Sequence, residues 1–181
     1  MDADREDELL VIRCQLGERA AFDDLIARWN EPLWKYVCRV SGDADAAQDV
    51  AQDVWLRVLR GIGRLRDGSK LRAWLFGIAR NVLMNRLRDR YTAPELSDLD
   101  ATEVGAADTS PDPEEDLRAI EDGMARLPLI EREVLTLFYL QELSLTQIAD
   151  VLAVPVGTVK SRLFRARQLL RRELDMKGVR P

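Results

Sequence analysis

Apolar residues recur at spacings of three and four along most of this chain, so helices are predicted almost throughout. Over residues 6–16 and 20–40 the apolar positions form helical stripes, broken by Gly17 and then by Ser41-Gly42-Asp43. A third helix is predicted over 45–59, with Ala46, Val50, Val54 and the run from Leu56 to Leu59 as inward candidates. Gly61, Gly63 and Gly68 mark a loop, and a long helix is predicted over 71–90. No period-two strand pattern of useful length and no internal repeat is present. The fold class is all-α.

The pattern changes near the C-terminus. Leu145, Ile148, Ala149 and Leu152 lie at i, i+3, i+4 and i+7, which makes one apolar face; Ser144 and Thr146 are both candidate N-caps. Val154-Pro155 ends this helix, because a residue before proline avoids the α region. Gly157-Thr158 opens a second helix, with Thr158 a candidate cap and Val159, Leu163, Ala166, Leu169 and Leu170 as its buried stripe. Two helices joined by a short turn form a helix-turn-helix.

Charge turns that pattern into a functional expectation. Between residues 156 and 172 stand Lys160, Arg162, Arg165, Arg167, Arg171 and Arg172, with no acid among them, in a chain whose net charge is −5. A positive rod on a negative protein points to a polyanion, since phosphate neutralisation releases counterions. A solvated amphipathic helix is the bland alternative, and the matching first helix and turn argue against it. The rod spans roughly 27 Å at ~1.5 Å per residue, enough to lie along a major groove.

The remaining charges divide the chain. Residues 1–90 carry 16 bases and 15 acids, 91–123 carry 11 acids and the single base Arg118, and 124–181 carry 10 bases and 6 acids. Residues 91–112 combine acids with Pro94, Gly105 and Pro111 and few large apolar side chains, so they are expected to form a flexible acidic linker. Two small helical domains are therefore expected, over 1–90 and 113–181, the second starting at Pro113 ahead of three acids. Residues 60–90 contain nine bases against Asp67 and Asp89. The bases fall in the loop from Arg60 to Arg72 and along the helix at Arg80, Arg86, Arg88 and Arg90, with Trp74, Phe76, Asn81 and Asn85 interleaved. Such a surface suits unpaired bases, although Trp74 and Phe76 read more naturally as core.

Histidine is absent, which excludes imidazole bases and His-containing zinc sites. Cys14 and Cys38 are far apart and lack CxxC spacing, so they read as small buried side chains in a reducing compartment. No metal, cofactor or catalytic site is expected. No apolar run approaches 18 residues and the N-terminus MDADREDELL is acidic, so a soluble, cytoplasmic protein without membrane insertion is expected.

The segments DAAQDVAQDVWLRVLR and LRAWLFGIARNVLMNRLR resemble region 2 of bacterial sigma factors, and ARLPLIEREVLTLFYLQELSLTQIADVLAVPVGTVKSRLFRARQLL resembles region 4. In this order, separated by an acidic linker, they are similar to the extracytoplasmic-function (group IV) RNA polymerase sigma factors. Gln48 departs from the family, which often has an acid before Asp49. The resemblance implies a region-2-like four-helix domain and a region-4 helix-turn-helix domain. It implies that Asp49, Gln52 and Asp53 dock on the clamp helices of the largest subunit of core RNA polymerase, with region 4 on the flap of the second-largest. It implies that Arg64, Arg66, Ser69, Asn81, Asn85 and Arg88 meet the melted −10 element. Lys160, Ser161, Phe164 and Arg165 would read duplex at the −35 element, while Arg162, Arg167 and Arg171 grip phosphates. An anti-sigma factor is the implied regulatory partner.

The promoter elements of the family lie about 17 base pairs apart, roughly 58 Å. The linker reaches at most about 75 Å extended and averages ~26 Å as a coil, so it must be drawn out. A response-regulator output domain would share the helix-turn-helix, but the βα alternation of a receiver is missing. A nucleic-acid enzyme would need an identifiable P-loop, paired carboxylates or a Cys/His site, and none is present.

Overall fold

The computed structural model describes residues 2–92 and 113–177. The expected linker lies outside the described residues, except that Tyr91 and Thr92 end a helix. Eight α-helices and no strand occur among the described residues: α1 Asp2–Gln15, α2 Arg19–Ser41, α3 Ala44–Gly61, α4 Leu71–Thr92, α5 Pro113–Arg126, α6 Leu129–Leu135, α7 Leu145–Leu152 and α8 Val156–Met176. The first two breaks fall at the predicted glycines. Gly17 and Gly42 take φ of 83° and 72°, the left-handed region in which a Cβ would be strained, and Gly42 N–H closes α2 on Cys38 O at 2.9 Å. Two 3₁₀ turns, Ile62–Arg64 and Gly68–Lys70, bridge α3 and α4.

α1–α4 form the first helical domain. Leu25, Trp29, Leu33 and Tyr36 of α2 face Val50, Val54 and Val58 of α3 and Leu75, Phe76, Ala79 and Leu83 of α4, all buried. Phe76 stands nearly perpendicular to Trp29 and Tyr36, with ring centroids 6.3 and 5.4 Å away. Phe76 is therefore core, as expected, and Trp74 is half-buried against Gly61. One expectation fails on α3: Leu56 and Leu59 stand 45% and 55% exposed. The helical period that buries Val50, Val54 and Val58 turns those two leucines outward. The Cys14 and Cys38 thiols are half-buried, and burial pushes both pKa values up, away from the reactive thiolate.

α5–α8 form the second domain around Val134, Leu135, Leu137, Ile148, Leu152, Val159, Leu163 and Ala166. Gly123 lets α5 approach α8 closely, because a Cβ there would lie 3.0 Å from Leu170 Cδ1. α6 ends in a π turn, Thr136–Leu140, whose defining bond runs from Gln141 N–H to Thr136 O at 3.0 Å.

The two domains pack into one continuous core, with α4 against α7 and α2 against α6 and the π turn. At its centre Glu133 of α6 is 1% exposed. Tyr36 Oη donates to Glu133 Oε1 at 2.8 Å and Arg80 Nε donates to the same oxygen at 3.0 Å, so one buried carboxylate is shared by α2, α4 and α6. Burial raises the Glu133 pKa, against the opposing pull of Arg80 and the Tyr36 hydrogen bond. The Tyr36 phenol is pushed well up by burial and then by the Glu133 charge. Arg72 adds a bond to Gln141 O at 2.8 Å, and Arg39 pairs with Glu121 at 3.1 Å on the surface.

Candidate nucleic-acid interface

The helix-turn-helix is built from its caps. Ser144 Oγ accepts from Gln147 N–H at 3.2 Å, and Gln147 Oε1 accepts from Ser144 N–H at 2.9 Å, a reciprocal capping box. Thr146 is not the cap; it is the second residue of α7, with its hydroxyl 2.9 Å from Ser144 Oγ. α7 closes on Ala153, held left-handed at φ 52°. α8 begins earlier than expected, at Val156, so Thr158 is not its cap either. Pro155, fixed at φ −60° and extended in ψ, offers its carbonyl to Thr158 N–H at 2.9 Å and Val159 N–H at 3.2 Å.

With Val159, Leu163 and Ala166 buried, α8 presents Lys160, Ser161, Phe164 and Arg165 on one exposed face. Phe164 is 64% exposed, an aromatic ring that the core leaves unused. Arg165 is 71% exposed and its Nε lies 3.1 Å from Glu131 Oε1, whose side chain is only 7% exposed. One edge of the guanidinium is thus anchored to α6 while its remaining donors face solvent. Arg167 is clamped by the π turn: its Nε donates to Tyr139 Oη at 2.8 Å, and its guanidinium lies 5.6 and 5.5 Å from the Phe138 and Tyr139 ring centroids. Arg171 stands exposed further along. Arg162 is half-buried and its charge acts on Glu133, so it does not share the exposed face of the other bases.

The second positive surface is narrower than the sequence indicated. Arg80 turns onto Glu133, and Arg72 lies 5.5 Å from the Trp29 ring. Arg86 spans Asp49 Oδ2 at 3.2 Å and Asp53 Oδ2 at 2.9 Å. Three arginines grouped with this surface therefore serve packing, because each lies on the side of α4 that faces α2, α3 or the second domain. Asn81, Asn85 and Arg88 remain exposed along α4, four and three residues apart, and so share one helix face. Arg64, Arg66 and Ser69 are exposed in the α3–α4 loop. Asp67 Oδ1 accepts from Ser69 N–H and Oγ–H at 3.1 and 2.6 Å, and these bonds hold its pKa down. Asp49 and Gln52 are exposed and Asp53 half-exposed on one flank of α3. The Arg86 fork across the two carboxylates was not foreseen; its partners lie 37 and 33 residues away in sequence.

Comparison with known proteins gives two family matches along the chain. Residues 19–92 match the family described as Sigma-70 region 2, and residues 117–170 match Sigma-70, region 4. The chain is 34% identical over 182 residues to the RNA polymerase sigma-H factor of Pseudomonas aeruginosa, covering 94% of each. It is 35% identical over 176 residues to the ECF RNA polymerase sigma-E factor of Escherichia coli, covering 91% of this chain and 92% of that one. The chain belongs to the extracytoplasmic-function RNA polymerase sigma factors, and it is a transcription initiation factor. Among solved structures, the sigma factor RpoE in complex with the anti-sigma factor NepR from Bartonella quintana aligns with TM-score 0.70 at 25% identity, over 85% of this chain and 96% of that one. CnrH in complex with the cytosolic domain of CnrY shares the fold, with TM-score 0.72 at 24% identity over 94% and 97%. Among the described residues no helix is long and apolar enough to cross a membrane.

Proposed function

We propose that this sigma factor works in the cytoplasm, docks on core polymerase through Asp49, Gln52 and Asp53, reads the −35 duplex with α8 and opens the −10 element with the α3–α4 loop and α4. The observation that carries the reading is the α8 face. Lys160, Ser161, Phe164 and Arg165 project together from a helix whose opposite stripe is locked in the core, the geometry of major-groove readout. Arginine suits guanine O6 and N7, and an aromatic edge suits a thymine methyl. Arg167 and Arg171 flank this face and grip phosphates. Asn81, Asn85 and Arg88, with Arg64, Arg66 and Ser69, face the melted strand. On polymerase, α3 meets the clamp helices of the largest subunit and the second domain meets the flap of the second-largest.

The packed arrangement is the resting form. A chain of 181 residues folded as one body is about 40 Å across, whereas the two promoter elements lie roughly 58 Å apart. The domains must therefore separate on the promoter, breaking the Tyr36–Glu133–Arg80 contact. An anti-sigma factor that binds the packed form would hold the protein inactive until a signal releases it. The similarity to RpoE bound to the anti-sigma factor NepR supports this reading.

A titration with core polymerase tests the docking surface. Asp49→Lys together with Asp53→Lys places like charges at the interface and should weaken core binding at least about tenfold. The exposed pairs with Arg86 contribute only ~0–1 kcal/mol each, so the fold should survive. Unchanged affinity removes these residues from the interface.

A further inference from the structure

The match to Sigma-70 region 2 begins at residue 19, so α1 lies outside it. Yet α1 is the helix that holds the α3–α4 loop. Gln15, its last residue, donates through Nε2 to Ile62 O at 3.0 Å and to Leu65 O at 2.8 Å. Those carbonyls bracket Gly63 and Arg64, and the same turn is closed by Leu65 N–H on Ile62 O at 3.1 Å. Both hydrogens of one amide are thus spent on the two ends of a single 3₁₀ turn. At the far end of the loop α1 touches again: a Cβ on Gly68 would lie 3.0 Å from Glu8 Cα, so the loop rests directly on the α1 backbone. Gln15, Gly63, Arg64, Leu65 and Arg66 line a cleft of about 480 Å³. That is within the range of clefts that take a small planar ligand, such as one unstacked base.

We infer that Gln15 is a positioning residue for single-strand recognition: by fixing the Ile62–Leu65 turn it sets the cleft from which Arg64 and Arg66 meet an unpaired base. The inference rests on the proposed role of the loop at the −10 element. Its physical basis is pre-organisation. A glycine-containing loop with free carbonyls samples many conformations, and ordering it at the moment of binding weakens affinity. A short polar tether removes that penalty beforehand. The tethered carbonyls are at most partly buried, so water replaces the lost donors in a variant and the fold loses little.

The test uses holoenzyme and a promoter fragment with a pre-melted −10 bubble, carried in four versions at each bubble position. Gln15→Met keeps the side-chain length without donors; Gln15→Glu is a second loss variant that is polar and replaces donor by acceptor; Gln15→Lys restores a donor. Core binding and binding to −35 duplex serve as readouts that a general structural defect would also move. Expected are a fall of about tenfold in bubble affinity and a flattened base preference at one position for Gln15→Met and Gln15→Glu. Gln15→Lys should recover most of both, with core and −35 binding unchanged throughout. Retained bubble affinity and base preference in both loss variants overturn the inference, as does an equal loss of −35 and core binding. Arg64→Ala with Arg66→Ala separates the two levels. If that pair abolishes bubble binding while the Gln15 variants do not, only the positioning role falls. If the pair binds the bubble normally, the −10 role of the loop falls and the inference with it.

Discussion

Removing one hydroxyl, by Tyr36→Phe, isolates one of the contacts that join the two domains. Tyr36 lies on α2 of the first domain and is fully buried, and among the described residues its hydroxyl donates to Glu133 Oε1, on α6 of the second. A hydrogen bond to a charged group contributes about 1.5–3 kcal/mol. Arg80 still pairs with Glu133 in the variant, so the expected loss is about 2 kcal/mol, or roughly 4–8 °C in Tm for a protein of this size. The sign reverses when the acceptor is removed. In a Glu133→Met background the Tyr36 hydroxyl is a buried donor without a partner, so adding Tyr36→Phe should be neutral or stabilising. Hydrogen exchange followed by mass spectrometry reads where the loss falls. Tyr36→Phe should speed exchange of amides in α6 and α7, although neither helix is altered. If Tyr36→Phe changes stability by less than ~0.5 kcal/mol in both backgrounds, and α6 and α7 keep their protection, the packed resting form is wrong.

Two further outcomes follow from the same geometry. Arg165→Ala should cost ~1–3 kcal/mol at the cognate −35 element and relax preference at one base pair, whereas Arg171→Ala should weaken all sequences alike and make the salt slope shallower by about one. Holoenzyme binding to single-base −35 variants at several salt concentrations distinguishes them. Glu131→Gln belongs in the Arg165 background, so that an orphaned carboxylate is not mistaken for lost base contact. The Glu133 pKa is raised in the folded state, so folded protein binds more protons than unfolded protein between the ordinary carboxylate range and that raised value. Stability from this group is therefore present at low pH and lost as pH rises through the folded pKa. Glu133→Gln removes the titration, so urea midpoints should favour wild type over the variant more in mild acid than at neutrality; an equal gap at both contradicts the buried carboxyl.

Local features were legible because they depend on neighbours in sequence. The helical periods of α1–α4 and the glycine stops at Gly17 and Gly42 were readable, and the α7 cap was narrowed to Ser144 or Thr146. The α8 stripe was readable too, because helices and caps report through residues three and four apart. The failures at the second positive surface concern partners far along the chain, whereas those at Leu56, Leu59 and Thr158 are local. Arg80, Arg72 and Arg86 looked like parts of one positive face, but their acceptors lie 53, 69 and 33 residues away, where periodicity carries no information. A signal existed for Glu133. The stretch LIEREVLTLFYL is apolar around most of its circumference, so an acid within it must lie buried and needs a donor. Gln15 had no such signal, since a glutamine at a helix end normally meets solvent. Thr158 was misread because proline in extended conformation can supply the first carbonyl of a helix without any side-chain cap.

Transcription in vitro shows whether this protein directs polymerase to promoters. Purified protein is mixed with core polymerase and a library of genomic fragments, and the transcripts are mapped. Core polymerase alone should give no specific starts. Adding this protein should give discrete starts that share a −35 and a −10 element, and Phe164→Ala with Arg165→Ala should abolish those starts while core binding persists. Absence of specific starts from a protein that binds core polymerase normally, or starts that survive the α8 variant unchanged, would contradict promoter recognition through α8.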